Sequence, residues 1–311
     1  MNRINRITEF FKKPFAYAIV FGTLLTSANA YVLLKTFTIP TVQAYVTQAQ
    51  GDAGYEEVAS AAPQEAETTA TSYSDENIQI SISTVRYNDT DVYIADVKVS
   101  SAAYLKTALA NDSFGRNVTQ KTSAIASAHN AILAINGDYY GANSQGYVIK
   151  NGVIYRDTSR RGSDQDDLVI YRDGTFGIIN ESEVTAQALL DSGVVNLLAF
   201  GPALVTNGKV AVSQNEEVGR AMADNPRTAI GVIDDLHYVL VVSDGRTSES
   251  QGLSLYELAQ VMRQQGCKTA YNLDGGGSST MYFNGQVINN PTTNGNRISE
   301  RSVSDIVYIG Y

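Results

Sequence analysis

Thr269-Ala270-Tyr271-Asn272-Leu273-Asp274-Gly275-Gly276-Gly277-Ser278-Ser279-Thr280 joins a short apolar segment to a polar, glycine-rich one. The apolar part, residues 269–273, has the length and composition of a buried strand, so the polar part should emerge at the carboxyl end of that strand. Three consecutive glycines lose more conformational entropy on folding than other residues do, which indicates backbone of positive φ or close approach to a ligand. A tight loop between two strands is the alternative interpretation.

The glycine-rich part contains the donors of a concave anion site. Successive unhindered amides can point at one oxyanion, and neighbouring hydroxyls add further donors. Asn272 and Asp274 favour a binding role over a plain loop, because polar groups at the end of an apolar strand are aimed at one point. The lysine and the spacing of a nucleotide-binding phosphate loop are missing. The candidate phosphate-binding residues here are Asn272, Gly275, Gly276, Gly277, Ser278, Ser279 and Thr280.

A helix is predicted immediately before this segment. Ser254 and Glu257 have the spacing of a capping box, and Gly266 is placed to end the helix in a left-handed turn. The apolar positions between them repeat at helical spacing, at Leu255, Leu258, Ala259 and Met262. The order helix, buried strand and polar turn therefore places the glycine-rich part at a sheet edge.

A second strand end has the same layout. The apolar segment Leu133 to Ile135 runs straight into Asn136-Gly137-Asp138-Tyr139-Tyr140. A carboxylate placed there can act as an acid, a base or a nucleophile, or it can simply cap the turn. Asp138 is therefore a candidate catalytic residue, like Asp274, and Asn136 is a candidate substrate-binding residue. A helix is predicted before this strand, from about Thr122 to Ala131.

Two arginines are predicted to meet at one sheet edge. Arg227 opens the apolar strand 229–233, and Asp244-Gly245-Arg246 closes the strand 239–242. Antiparallel pairing of these strands brings the start of the first beside the end of the second. Arginine suits a bidentate grip on phosphate, although an Arg-Asp pair that braces the hairpin explains either residue alone. Arg227, Asp244 and Arg246 are candidate phosphate-binding residues.

Glu300-Arg301 supplies one more carboxylate and one more cation just before the final predicted strand, Val303 to Ile309. Such a pair taken alone is typical of a solvated surface. Glu300 is a third candidate catalytic residue, and Arg301 is a further candidate for phosphate binding.

Hairpin signals are frequent elsewhere in the chain. Asn-Gly or Asp-Gly pairs with β-branched or aromatic neighbours are typical of tight turns, and they occur at Asn151-Gly152, Asp173-Gly174, Asn207-Gly208 and Asn284-Gly285. Strands alternate with helices in only two places. The sequence therefore predicts an α+β fold, a single domain with a mixed, largely antiparallel sheet flanked by helices, after an N-terminal transmembrane helix.

The composition excludes several classes of function. The 311 residues carry 23 Lys and Arg against 32 Asp and Glu, and this net charge of -9 argues against a nucleic-acid partner. A single cysteine, Cys267, rules out an internal disulfide framework. Two histidines leave too few ligands for most histidine-based metal centres, so any metal would be held by oxygen.

The N-terminal sequence predicts a membrane anchor. Residues 15–34 contain no charged side chain and have about the length that a helix needs to cross the roughly 30 Å hydrocarbon core. Positive residues precede this segment, which favours a cytoplasmic N-terminus and an extracellular domain in a single-pass cell-membrane protein. A cleaved signal peptide is the alternative, because Ala28-Asn29-Ala30 fits a cleavage site. The uncleaved anchor is preferred, since the apolar run continues to Leu34.

The chain is accordingly divided into four regions. Residues 1–13 are a cytoplasmic basic tail, 14–35 a transmembrane signal anchor, 36–75 a flexible linker and 76–311 the catalytic domain. The linker is rich in Ala, Thr, Gln and Glu and lacks a sustained apolar period. Alternating apolar and polar residues from Ile78 onward indicate the first strand of the domain.

Six segments together resemble the phosphodiester glycosidase family. They are Ala134–Tyr140, Gly201-Pro202, Asn225–Gly231, Asp244–Arg246, Asn272–Met281 and Glu300-Arg301. The resemblance covers roughly Ile78 to Tyr311 and implies hydrolysis of the bond between the anomeric carbon of a sugar and a phosphate. The cysteine-rich extra segments of the animal member have no counterpart here, so its substrate and trafficking role are not carried over.

The implied reaction agrees with the chemistry of these residues. A leaving phosphate monoester has a second pKa of about 6 and needs less protonation than an ordinary alcohol. Arg227, Arg246 and Arg301 are expected to hold the phosphate, with residues 275–280 completing its cradle. Asp138 or Asp274 would attack the anomeric carbon or activate water. No cofactor is required, although a divalent cation such as calcium is compatible with the oxygen ligands present.

The expected substrate is a phosphate-linked glycan of a bacterial cell envelope or exopolysaccharide, because a domain tethered outside the cell meets such polymers. Two alternatives stay open. A metal-dependent phosphodiesterase would cleave the P–O bond with Asp138, Asp244 and Asp274 as oxygen ligands. A non-catalytic glycan-binding module would bind the glycan without releasing a product.

Overall fold

The computed structural model describes residues 10–48, 65–160, 162, 165–214 and 224–311. Two units are distinguished, Met1–Thr41 and Val42–Tyr311, and each is described by itself. Most of the predicted basic tail, residues 1–9, lies outside the described residues.

The first unit contains one long helix, α1 (Ala16–Phe37), of 22 residues. Its length and apolar composition suit both a membrane anchor and a signal peptide near the N-terminus. The topology of the chain across a membrane and the cleavage of this segment stay predictions.

Among the residues that the structure describes, the second unit contains three helices and most of the strands. The helices are α2 (Thr122–Ala128), α3 (Ala186–Asp191) and α4 (Leu255–Gln264). Short 3-10 segments span Ala102–Tyr104, Ala110–Asp112, Tyr140–Ala142 and Gly276–Ser278. The strands are β1 (Thr41–Val42), β2 (Thr47–Gln48), β3 (Glu67–Thr68), β4 (Ser72–Ser74), β5 (Ile78–Tyr87), β6 (Thr90–Val99), β7 (Leu105–Leu109), β8 (Gly115–Arg116), β9 (Leu133–Asn136), β10 (Val148–Lys150), β11 (Val153–Arg156), β12 (Asp166–Tyr171), β13 (Phe176–Asn180), β14 (Val194–Leu198), β15 (Ala203–Thr206), β16 (Lys209–Val210), β17 (Arg227–Asp234), β18 (His237–Ser243), β19 (Thr269–Asn272), β20 (Met281–Phe283), β21 (Gln286–Val287) and β22 (Asp305–Ile309).

Two antiparallel sheets form the centre of this unit. The larger sheet has the order β16-β15-β19-β17-β18-β6-β5-β4-β3, and the smaller has the order β21-β20-β9-β22-β7. Ile230 and Leu240 of the larger sheet share one buried apolar cluster with Ile135 and Val307 of the smaller. The two sheets therefore pack face to face, and each fully buried side chain of this kind stabilises the fold by about 1.5–3 kcal/mol.

Helices cover the outer faces of both sheets. Successive side chains of a strand point to opposite faces, so Val239 and Val241 of β18 meet Leu258 and Met262 of α4 in a separate buried cluster. On the smaller sheet, Ile125 of α2 belongs to the outer apolar cluster of that sheet. The layers follow the order α4, larger sheet, smaller sheet, α2.

The predicted α+β fold with antiparallel sheets is confirmed. The four predicted turns each join a pair of antiparallel strands, β10–β11, β12–β13, β15–β16 and β20–β21. The capping box of Ser254 and Glu257 is formed in both directions at the start of α4. The helix predicted to reach Ala131 ends at Ala128, because Asn130 adopts a left-handed φ of 50°.

Four short strands, β1 to β4, precede the predicted start of the domain at residue 76. Both β3 and β4 lie at the edge of the larger sheet, where Tyr73 pairs with Ile80 of β5. The boundary at residue 76 and the flexible linker stay predictions, and residues 49–64 of that linker lie outside the described residues.

Candidate functional site

The glycine-rich segment connects the two sheets. It leaves the larger sheet at Asn272 of β19 and enters the smaller sheet at Met281 of β20, which pairs with Ile135 of β9. Both predicted strand ends therefore meet where one sheet passes into the other. Asn136 donates from Nδ2 to the carbonyl of Asp274 at 2.6 Å, and Thr228 donates to Asn136 Oδ1 at 2.8 Å.

Asp274 forms an ion pair with Arg301 at this junction. The Arg301 guanidinium donates to the two carboxylate oxygens at 3.2 and 3.0 Å, and the Ser278 hydroxyl donates to Oδ2 at 2.6 Å. Burial raises the pKa of Asp274, while Arg301 acts in the opposite direction. The Asp274 side chain is 11% exposed and that of Arg301 is 40% exposed, so solvent reaches this pair.

Asp138 lies in a buried network that contains a lysine. Lys150 donates to Asp138 at 3.2 Å and to Asp305 at 2.6 Å. The backbone amides of Tyr140 and Ala199 also donate to Asp138, at 2.9 and 3.1 Å. All three charged side chains are at most 1% exposed. Asp138 therefore accepts hydrogen bonds from three donors.

The network contains two carboxyl groups and one cation. Burial alone lowers the pKa of Lys150, but Asp138 and Asp305 outweigh it, so the pKa is raised. Burial and the neighbouring Asp138 raise the pKa of Asp305 to about 7. Asp305 therefore holds a proton up to near neutral pH.

Arg246 packs directly on the glycine-rich segment. Its guanidinium donates twice to Asn225 Oδ1, at 3.1 and 2.8 Å, and once to the carbonyl of Thr293. A Cβ atom on Gly276, which has a φ of 61°, would lie 2.9 Å from this guanidinium. Burial lowers the pKa of Arg246, and the nearby positive charge of Arg301 adds to the effect. The glycine is required here both by its φ and by the close approach of Arg246.

Arg227 and Asp244 lie at the same sheet edge, as the predicted hairpin requires. Arg227 pairs with Ser243 across β17 and β18 and donates from Nε to the carbonyl of Leu253 at 2.9 Å. Asp244 accepts from the Asn290 amide nitrogens of backbone and side chain, at 2.8 and 2.9 Å. Both residues are 3% exposed, and they support the loops around the junction. Their role in phosphate binding stays a prediction.

The polar residues of the glycine-rich segment differ in their environment. Ser278 reaches Asp274 and also accepts from Arg301 Nε at 2.9 Å. Asn272, Ser279 and Thr280 are fully buried, and Asn272 donates to the carbonyl of Gly201 at 2.7 Å. Only Ser278 among these four side chains contacts the Asp274–Arg301 pair in the hydrogen bonds described, so a cradle built from all three hydroxyls stays a prediction.

Glu300 is directed at a helix. Its carboxylate accepts from the backbone and the hydroxyl of Ser123 at 2.9 and 2.6 Å, in the first turn of α2. This arrangement satisfies an amide that the helix leaves unpaired. Its catalytic role stays a prediction.

Two pockets lie beside the sheet junction. The first pocket has a volume of about 220 Å³, and its lining includes Asn117, Thr119, Asp138, Tyr139, Asp274 and Arg301. The second pocket has a volume of about 340 Å³, and its lining includes Tyr139, Asn143, Gln145, Arg160, Gln165 and Phe200. Tyr139, which is 48% exposed, is common to both.

Lys150 and Asp305 are site residues that sequence reasoning missed. Both belong to strands that are otherwise apolar, β10 and β22, and each is buried. A charged residue within an apolar strand is a signal that could have found them, since buried charges are almost always paired. In the part of the chain that the structure describes, no group of three or more His, Cys, Asp or Glu is arranged to hold a metal ion.

The chain is similar in sequence to several known proteins. A family model described as phosphodiester glycosidase matches residues 129–310. The SPbeta prophage-derived uncharacterized protein YomE of Bacillus subtilis (strain 168) is 32% identical over 201 residues, which are 64% of this chain and 31% of that protein. N-acetylglucosamine-1-phosphodiester alpha-N-acetylglucosaminidases of Mus musculus and Homo sapiens are 32% identical over 174 and 176 residues, 51% of this chain and 33% of each relative. The chain spans about a third of the length of these curated relatives.

Two solved structures are similar in fold. The zebrafish N-acetylglucosamine-1-phosphodiester alpha-N-acetylglucosaminidase catalytic domain, auto-inhibited by its pro-peptide, gives a TM-score of 0.60 at 21% identity, over 79% of this chain and 88% of that one. A hypothetical protein from Synechocystis gives a TM-score of 0.51 at 17% identity, over 75% of this chain and 62% of that one. These likenesses establish a shared fold.

Proposed function

The chain belongs to the phosphodiester glycosidase family, and on that basis we propose that it hydrolyses the glycosidic bond of a sugar-1-phosphodiester. The bond that breaks joins the anomeric carbon to a phosphate oxygen. Water adds its hydroxyl group to the carbon, and the phosphate monoester leaves with the electron pair. The proton released from water passes through a carboxylate to solvent or to the departing phosphate.

The observation that supports this proposal most directly is the Asp274–Arg301 pair in the lining of the first pocket. A carboxylate and a guanidinium side by side can serve the two ends of the scissile bond, the carbon and the phosphate. Arg301 is 40% exposed, so a phosphate oxygen can reach its remaining donors. Arginine binds phosphate through two parallel hydrogen bonds, which also fixes the orientation of the group.

Asp274 is better placed than Asp138 to act at the anomeric carbon. Its side chain is 11% exposed, whereas that of Asp138 is 1% exposed and is held by Lys150 and two backbone amides. A phosphate that binds Arg301 competes with Asp274 for the guanidinium. The carboxylate is then available to attack the carbon or to activate water. In this scheme, Asp138 positions the turn that carries Tyr139.

Arg246 supports the phosphate side of the reaction. Its guanidinium lies against Gly276 and is close enough to Arg301 for the two charges to repel each other. Negative charge that develops on the leaving phosphate relieves this repulsion. The preorganised pair of cations therefore stabilises the transition state more than the ground state, in which the diester carries a single negative charge.

The substrate and the place of action belong to the same proposal. The apolar helix α1 near the N-terminus supports an extracytoplasmic domain, either anchored or secreted. A domain placed there meets phosphate-linked glycans of the cell envelope or exopolysaccharide. The mammalian relatives carry N-acetylglucosamine in their names, which makes N-acetylglucosamine-1-phosphodiesters the first substrates to try.

The proposal is tested by incubating the full chain, in detergent, with a panel of sugar-1-phosphodiesters in oxygen-18 water. Mass spectrometry should find a free sugar that contains the label and an unlabelled phosphate monoester. Label in the phosphate would mean P–O cleavage and would overturn the proposal, as would the absence of any product. Arg301→Gln should abolish turnover, whereas Arg263→Gln, an exposed arginine of α4 outside both pockets, should leave it unchanged.

A further inference from the structure

The two pockets beside Tyr139 differ in their chemistry. The first contains Arg301 and Asp274. The second is lined largely by neutral hydrogen-bonding groups, among them the exposed side chains of Asn143 and Gln145. Amide side chains both donate and accept, as recognition of ring hydroxyls requires. The second pocket therefore suits a neutral, hydroxylated ligand.

The one cation in the described lining of the second pocket is already neutralised. Arg160 forms ion pairs with Asp167 and with Glu181, the latter at 3.2 Å, and both carboxyl groups are at most 3% exposed. Burial raises the pKa of Asp167 to about 8, but Glu181 alone balances the arginine whether or not Asp167 is protonated. The described lining of this pocket consequently carries no surplus positive charge to attract a phosphate.

The first pocket has the opposite balance. Arg301 and the neighbouring Arg246 face a single carboxylate, Asp274, since the charge of Asp138 is matched by Lys150. A phosphodiester placed across both pockets would therefore direct its anionic group to the first. Its sugar would then lie in the second.

Both pockets are within reach of the same strand end. Asp138 lines the first pocket and accepts a hydrogen bond from the amide of Ala199 at 3.1 Å, and Ala199 lines the second. Tyr139 follows Asp138 and forms a wall of each pocket. An aromatic wall beside polar groups suits a sugar ring, because the C–H face of the ring packs on the aromatic face.

We propose that the second pocket is the sugar subsite, which takes the neutral, hydroxylated ring of the substrate, and that Tyr139 separates this ring from the phosphate in the first pocket. The assignment rests on the proposed function, whose reaction places a sugar and a phosphate on the two sides of one bond. It predicts that sugar and phosphate affinity can be changed separately.

Direct binding tests the assignment independently of turnover. The full chain in detergent is titrated with N-acetylglucosamine, glucose and galactose as neutral probes and with methyl phosphate as the anionic probe. Tyr139→Ala and Gln145→Ala should each weaken the best-bound sugar about tenfold, which is a loss of about 1.4 kcal/mol, and leave methyl phosphate unchanged. Arg301→Gln should do the reverse.

Matched controls are available outside both pockets. Tyr45→Ala removes another exposed tyrosine, and Gln187→Ala removes an exposed glutamine of α3. Neither should alter the binding of either probe. The assignment is overturned if no sugar binds, if Tyr139→Ala and Gln145→Ala leave sugar affinity intact, or if they weaken methyl phosphate equally. Separate sugar and phosphate effects in a chain that hydrolyses no diester would keep the subsites and refute only the reaction.

Discussion

Two strand ends of the same sequence pattern have become electrostatically different sites. Asn136-Gly137-Asp138 and Asn272-Leu273-Asp274 both follow buried strands, and they meet where the two sheets join. Asp138 is paired with Lys150, which is 1% exposed, whereas Asp274 is paired with Arg301, which is 40% exposed. The carboxylate whose cationic partner is buried therefore stabilises the fold, whereas the carboxylate whose cationic partner is exposed is accessible to a ligand.

The largest expected effect is on turnover. Asp274→Asn keeps the shape of the side chain but removes its basicity, so kcat/KM should fall by about 10³- to 10⁴-fold. Asp138→Asn should cost less activity, because the proposed scheme gives Asp138 no contact with the reacting carbon. Steady-state rates on the preferred diester, with circular dichroism as the folding control, measure both. If Asp138→Asn proves the more damaging variant in a folded chain, the two roles are exchanged.

Variants at the two strand ends should rank in the opposite order when the free energy of unfolding is measured. Lys150→Met leaves two buried carboxyl groups without their cation and should lower the free energy of unfolding by about 3–5 kcal/mol. Arg301→Met removes a cation that is itself 40% exposed and should cost only about 1–2 kcal/mol. Urea unfolding of the two variants compares them. Equal losses would show that burial of the cation does not distinguish the two strand ends.

The glycines beside the two carboxylates should also differ. A Cβ atom on Gly137 would overlap Asp305 Oδ1, and the Asp305 side chain is fully buried. Gly137→Ala should therefore lower the free energy of unfolding by about 1–3 kcal/mol. In Gly276→Ala the new Cβ atom contacts the flexible end of Arg246. The main loss of stability comes from the positive φ and is about 1–2 kcal/mol.

The two glycine variants are separated by activity as well as by unfolding. Gly276→Ala pushes the Arg246 guanidinium and should raise KM for the diester, whereas Gly137→Ala acts chiefly on the buried network. An unchanged KM in Gly276→Ala would remove Arg246 from the phosphate side of the site.

Over a single pH unit, the smallest predicted effect is a pH dependence of stability. The folded pKa of Asp305, about 7, lies above the unfolded value, so the folded chain binds more protons than the unfolded chain in this window. Stability from this group is complete below about pH 4 and is lost as the pH rises through 7, by at most about 1.4 kcal/mol per pH unit. Asp305→Asn should flatten the decline between pH 5 and 7. Urea unfolding at several pH values measures the slope, and an identical slope in the variant would contradict the assignment.

Much of the fold could be predicted from local sequence patterns. The capping box of Ser254 and Glu257, the four tight turns and the pairing that places Arg227 beside Ser243 all formed as predicted. Each depends on residues close together in sequence, where hydrogen-bond geometry and side-chain period decide the outcome. The end of α2 was misplaced, since a left-handed Asn130 stops the helix three residues early.

The pairing of charged side chains was harder to predict from the sequence. Glu300 and Arg301 are adjacent in the chain, yet one accepts from Ser123 in α2 and the other binds Asp274. Lys150, which donates to Asp138, also binds Asp305, which is 155 residues away in the chain. Their contact depends on which strands become neighbours, and that follows from the burial of whole sheet faces.

The two polar strand ends, the antiparallel hairpins and the family could all be predicted from the amino-acid sequence, because these are properties of short segments. Tertiary structure alone decided that Asp138 is enclosed with a lysine while Asp274 remains beside a pocket. The physical reason is that the state of a carboxylate depends on its desolvation and on its nearest cation, and the packing of two sheets supplies both.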